Sequence, residues 1–304
     1  MNPEVPSESK PGRLRKVVTF PLTRIIIGLI FVVGLLIIGQ LLLKFTFQSF
    51  HSGGTLTLPL KIILYSTSTL LSIIAYYLFV RWVERRPISE FSFSGAWKEL
   101  GFGCIVGVGL MSLVTIILWL MGFYEVSAIS AATVLFIPMF NSVFAGTFEE
   151  IVFRGIIFRI VNESLGSWLA ILISALIFGF AHSAEPNASV FSSIAIALES
   201  GILLSCAYLF TKRLWIVIGI HFAWNFTLGG IFGIVVSGKP MEGLLQSKLE
   251  GPEILTGGDF GAETSIFAIV ICLIAGLLFL KKVQEKGHFT APFWARKKKG
   301  VALP

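Results

Sequence analysis

The chain has 304 residues, 55% of them hydrophobic and 13% charged, with a mean hydropathy of +0.86 and a formal net charge of +7. An ordinary soluble domain carries about 25% charged residues, and half that share cannot coat a globular surface, which excludes a soluble enzyme, a disordered chain and a nucleic-acid-binding domain. The basic residues sit in short segments between apolar stretches, a pattern of membrane topology and not of phosphate recognition.

Apolar runs of about 18 residues with few charges are candidate spanning helices. In chain order they are Ile25–Leu43, Ile62–Val80, Leu100–Phe123, a long run from Val126, Leu165–Phe180, Ala188–Thr211, Leu214–Ser237 and Ser265–Leu280. The first is too long for a cleaved signal, and no small-x-small site follows it. The expected fold is therefore all-α: a polytopic membrane protein of about eight helices, with its site in the core of the bundle. Residues 1–24 form a basic N-terminal tail, 25–280 the membrane domain and 281–304 a basic C-terminal tail. With the N-terminus inside, the inner segments hold twenty Lys and Arg and the outer ones only Lys44, Lys61, Lys239 and Lys248. The positive-inside rule then puts both termini in the cytoplasm, and Arg296-Lys297-Lys298-Lys299 is an anchor for anionic lipid. Cys104, Cys206 and Cys272 lie in apolar runs without metal or redox spacing.

Ionisable residues inside spans cost about 2.5–3.5 kcal/mol each on insertion and are functional candidates by default. They are Glu149, Glu150, Arg154, His182, Glu199 and His221, with Asn141 and Asn225 as neutral companions. Glu150 and Arg154 share a helix face at four residues' spacing and can pair. His221 and Asn225 share another. Alone, a His–Asn pair is as consistent with a structural interhelical hydrogen-bond cluster as with a site.

Helix level favours the site. If one helix, kinked at Pro138, runs from Val126 to Glu163 and turns back near Leu165-Gly166, then Glu149 and His182 are equidistant from that turn. Each lies about 25 Å from it at 1.5 Å per residue. His221 lies about 13 Å from the next inner turn, Lys212-Arg213. The levels coincide if the first hairpin protrudes by about 12 Å, with Arg154, Arg159, Asn162 and Glu163 supplying its polarity. Glu199 falls near Asn225. A carboxylate, two imidazoles and an amide so gathered suit water activation at a base and donation to an oxyanion. Two His and one Glu are also the protein ligands of a catalytic zinc site, so zinc is a compatible cofactor.

The patterns Glu149-Glu150-x-x-x-Arg154 with Gly155 following, Phe178-x-x-x-His182 and His221-x-x-x-Asn225 resemble the three motifs of the CAAX prenyl protease and bacteriocin-processing (CPBP, or Abi) family of intramembrane proteases. The resemblance covers roughly residues 133–230, and Leu255-Thr256-Gly257-Gly258 is similar to a segment of a bacterial subgroup. It implies an eight-helix fold and hydrolysis of a peptide bond in a membrane-associated protein or peptide. It also implies that Glu149 activates water with help from His182, that His221 and Asn225 form the oxyanion site, and that Arg154 positions the glutamates, with Glu150 a second carboxylate. Metal dependence stays open, and no H-E-x-x-H is present. The alternative is a catalytically idle membrane scaffold of the same fold that binds partner proteins. A proton-coupled carrier is disfavoured, because the two halves show no inverted repeat. The expected partners are a peptide or membrane-protein substrate and the bilayer of a bacterial cell, and no nucleic acid.

Overall fold

The structure, a computed structural model, describes residues 13–50 and 56–296. Residues 1–12 and the basic run 297–299 lie outside them. Among the described residues, seven helices are long and apolar enough to cross a membrane. They are the first (Pro21–Thr46), second (Leu58–Glu84), third (Ala96–Leu120), fourth (Ala132–Leu165), fifth (Ser167–Ala184), sixth (Val190–Thr211) and eighth (Ile266–Glu285). The seventh, Trp215–Ile231, is apolar and shorter. The chain is an all-α polytopic membrane protein.

The sixth helix is the axis of the bundle. Within its most apolar stretch 72% of residues are buried inside the protein, against 17–39% for the other six long helices. Those others keep a lipid-facing side of exposed Leu, Ile, Phe and Trp, as expected where the solvent is hydrocarbon. The seventh helix lies between the third and the fourth. A Cβ on Gly103 would stand 2.3 Å from the Ile216 carbonyl oxygen, and one on Gly146 2.9 Å from the Phe222 nitrogen. Glycine at these two positions lets backbones touch, as small residues do in membrane bundles. Gly146 lies one turn before Glu149, so this contact seats the glutamates against the His221 helix.

Two expectations fail near residue 126. The run from Val126 does not open a helix. Tyr124–Ile129 is strand β1, paired antiparallel with β2 (Leu245–Leu249), with Tyr124 opposite Leu249 and an irregularity between Val126 and Ala128. Val126 and Ile129 are β-branched and the strand is mostly exposed, so apolar composition there reflects strand propensity and not burial in lipid. The fourth helix starts at Ala132 in a 3-10 turn, which passes into α-helix at Phe136. Pro138 therefore lies in a first α-turn, where a missing N–H costs nothing, and is not a mid-span kink. Ser237 likewise lies beyond the seventh helix, which ends at Ile231.

At the face that carries both described ends, charges close the bundle in one network. Glu84 accepts from Arg24, Arg86 and Arg159, Glu90 from Arg86, and Glu163 pairs with Arg24 and Arg159. Arg296 donates to the Glu163 carbonyl oxygen. Arg159 thus joins this belt. Arg154 does not add polarity to a protruding hairpin. It is fully buried, and the rest of Ile151–Phe158 is buried around it.

Candidate active site

Of the four π-helical turns among the described residues, three border one place. Ile151–Phe158 follows Glu149 and Glu150, Ala197–Gly201 contains Glu199, and Phe226–Ile231 follows Asn225. Such widened turns recur at functional sites because they free or re-aim groups in a regular helix.

Adjacent on one helix, Glu149 and Glu150 point about 100° apart and have different partners. Glu150 is fully buried. Its Oε1 accepts from Arg154 Nη1 at 2.9 Å and lies 2.8 Å from His221 Nδ1. Arg154 is also fully buried, donates from Nη2 to the carbonyls of Ser200 (3.2 Å) and Gly201 (3.4 Å), and lies 4.4 Å over the Phe178 ring. Arg154 therefore holds Glu150 and ties it to the Glu199 turn. It does not bridge both glutamates. Glu149 instead turns towards the imidazoles, with Oε2 3.9 Å from His182 Nε2 and 3.8 Å from His221 Nε2. That oxygen is buried and has no hydrogen-bond partner in the protein.

The histidine tautomers follow from their partners. His182 Nδ1 lies 2.8 Å from the Phe178 carbonyl oxygen. A carbonyl only accepts, so Nδ1 carries the hydrogen, and the neutral ring presents a lone pair at Nε2. His221 Nδ1 faces the Glu150 carboxylate, which orients that ring in the same sense. Phe178 packs under both rings, at 4.7 Å from His182 and 6.2 Å from His221. The spacing Phe178-x-x-x-His182 is thus a support for the imidazole as well as its hydrogen-bond acceptor.

His182, His221 and Asn225 line a cavity of about 20 Å³ together with Phe178, Glu199 and Trp224. That volume holds about one water. The cavity is roofed by Ser237 and Glu263, from the segment between the seventh and eighth helices. Glu263 is buried. It accepts from the Ser237 N–H (2.7 Å) and hydroxyl (3.0 Å) and from Trp224 Nε1 (3.2 Å). The sequence offered no signal for it, as Glu263 is one acid among several in a loop. Asn141 does not join the cluster. It lines a separate cleft of about 720 Å³, with Lys61, Tyr65 and Lys239, near the start of the fourth helix.

A zinc ion would use Glu149 Oε2 and the Nε2 atoms of His182 and His221. Tetrahedral ligands at about 2.0–2.1 Å from zinc lie roughly 3.3 Å apart, whereas Glu149 Oε2 stands 3.8 and 3.9 Å from the two imidazoles, and among the described residues no group of three such side chains is arranged to hold a metal ion.

The fold is a helix bundle with a Glu–His–His cluster in its core. Residues 130–227, about a third of the chain, match the family described as "Type II CAAX prenyl endopeptidase Rce1-like". A stretch of 120 residues is 28% identical to a protein of Bacillus subtilis (strain 168) named "Putative membrane peptidase YdiL". The match covers 40% of this chain and 45% of that relative. No solved structure matches the chain.

Proposed function

We propose that the protein is an intramembrane endopeptidase that hydrolyses a peptide bond of a membrane-associated protein or peptide, in a bacterial cell membrane with both chain ends in the cytoplasm. One observation carries this: the unpartnered Oε2 of Glu149 faces two imidazole Nε2 atoms, and the same two imidazoles, though not Glu149 itself, line a cavity for one water.

In this mechanism Glu149 is the general base and takes a proton from a water held between it and His182. His182 Nε2, with its lone pair outward, accepts a hydrogen bond from that water and aims the oxygen at the scissile carbonyl. As the tetrahedral intermediate forms, charge develops on the carbonyl oxygen. The Asn225 amide and a protonated His221 Nε2 donate to it, and one such donor contributes about 10²–10³-fold in kcat. Glu150 balances the imidazolium through Nδ1, in the way a triad carboxylate orients its histidine. Arg154 in turn fixes Glu150 by a charge-assisted bond. We assign Glu149 the base role because Glu150 is already engaged by Arg154 and His221.

The test is independent of substrate. Wild type and Glu149→Ala are expressed equally in cells that lack the native gene, and new protein termini in the membrane fraction are compared by mass spectrometry. Termini made by wild type and lost in both Glu149→Ala and His182→Ala are expected, and they identify the substrates. Identical termini in all three, with folded protein present, would refute proteolysis and favour the scaffold.

A further inference from the structure

One group on the cavity has no task in the mechanism above. Glu199 is fully buried, and neither of its carboxyl oxygens has a hydrogen-bond partner. It lines the cavity beside His182, His221 and Asn225, and Glu263 lines the same cavity from the roof. A buried carboxyl without partners is costly and persists only where something offsets it.

Two roles can be weighed by volume and by partners. A subsite for a basic substrate side chain would satisfy Glu199, but a space of about 20 Å³ takes one water and no lysine or arginine. A structural carboxyl would be hydrogen-bonded, as Glu263 is by Ser237 and Trp224. What fits is a proton and a water. Two carboxyls on one cavity oppose each other's ionisation. Burial pushes the Glu263 carboxyl up, while the Ser237 and Trp224 donors pull it back.

We propose that Glu199, with Glu263 across the cavity, stores the proton that the leaving amine requires and delivers it through the cavity water to the scissile nitrogen. This rests on the protease function proposed above and adds the acid that its mechanism lacks. The water oxygen bonds to the carbonyl carbon as its proton passes to Glu149. The C–N bond then breaks, and the electron pair left on nitrogen takes the proton relayed from Glu199. Glu149 is now protonated and Glu199 ionised. Proton transfer from Glu149 to Glu199 resets the site, with one water consumed for each bond cleaved. The groups facing Glu199 are His182, His221 and Glu263 across the cavity and Cys272 on the eighth helix. Arg154 reaches the Ser200 and Gly201 carbonyls, with Glu150 and Glu149 behind the histidines. The fifth helix presents Phe178 and Ala175. Glu199 acts through a water and is a positioning residue.

The experiment uses the full-length protein reconstituted in lipid. In infrared spectra at neutral pH, wild type should show the C=O stretch of a protonated carboxyl, and Glu199→Gln should lose it. No substrate is needed for this arm. Membranes from cells lacking the native gene then serve as substrate, with the rate of new termini followed against pH and Glu149→Ala as the inactive reference. Glu199→Gln should lower kcat by about 10²–10⁴-fold, the range of general acid–base catalysis, with KM unchanged. It should also lose the alkaline fall in rate that wild type shows, and Glu199→Asp should restore part of both. An unchanged rate and pH profile in Glu199→Gln beside an inactive Glu149→Ala would overturn the relay alone. A uniformly lower rate with the wild-type pH profile and a reduced melting temperature would make Glu199 structural and also overturn it, as would absence of the band in wild type. If Glu149→Ala cleaves like wild type, the protease function fails and takes the relay with it.

Discussion

Arg154 is the largest fully buried side chain among the described residues and its charge is met by Glu150, itself fully buried. Replacing Arg154 with Met keeps most of the volume and removes the charge. Glu150 is then a buried carboxylate whose Oε2 has no partner and whose Oε1 keeps only His221. Breaking a buried pair on one side costs about 3–5 kcal/mol. The Ser200 and Gly201 carbonyls also lose their donor, at about 1 kcal/mol each. Set against a total stability of about 5–15 kcal/mol, Arg154→Met should unfold at much lower denaturant. Removing both charges should not, since paired replacement by neutral groups is often near-neutral. The assay is reversible unfolding in mixed micelles of wild type, Arg154→Met, Glu150→Gln and the double variant. The double variant should recover about 2 kcal/mol or more of the summed single losses, as coupled neighbours do. A cost below about 1 kcal/mol for Arg154→Met, or strict additivity, would show that the pair is solvated and refute a dry site.

Gly146→Val would drive a side chain into the Phe222 backbone, which a Cβ alone would meet at 2.9 Å. A shift of about 1 Å between Glu149 and His221 should lower cleavage about 10²-fold with folded protein still present, and wild-type rates would refute the seating role. Chelation followed by dialysis should leave cleavage intact, because Glu149 serves as base. Loss of activity restored by added zinc would reassign Glu149, His182 and His221 as ligands. Burial raises the Glu263 carboxyl, so the folded state holds this proton more tightly than the unfolded one. Its stability contribution is full below the unfolded value and is lost as pH rises through the folded one. The melting temperature should therefore fall over that window in wild type and stay flatter in Glu263→Gln. Cysteine placed at Ser92, whose carbonyl oxygen accepts from Trp215 Nε1, should be labelled only from the cytoplasmic side. Labelling from outside would invert the topology.

Much of the site was legible because helix periodicity is local. Spacings of four put Glu150 with Arg154, Phe178 with His182 and His221 with Asn225 on shared faces, whatever the rest of the chain does. Counting from the Gly166 turn brought Glu149 level with His182, and they face each other at 3.9 Å. The same counting misjudged the hairpin. It counted Arg154 among the residues that give the hairpin its polarity, whereas Arg154 is fully buried and paired with Glu150. Hydropathy also extended the fourth span back to Val126, because Val and Ile serve an exposed strand as readily as a lipid-facing helix.

The sequence by itself determined an all-α membrane protein, the order of its helices and the set of polar residues that had to be reckoned with inside it. Charge and hydropathy are sums over residues, and helical spacing depends only on neighbours in the chain. Tertiary structure alone decided which of two adjacent glutamates faces the histidines, that Glu199 stands without partners, and that Glu263 roofs the cavity from a loop. Those outcomes depend on how far each helix is rotated about its own axis and on where a long segment returns. Both are set by contacts such as Gly146 on Phe222 and Ser237 on Glu263, between residues whose separation in the chain leaves no periodic trace.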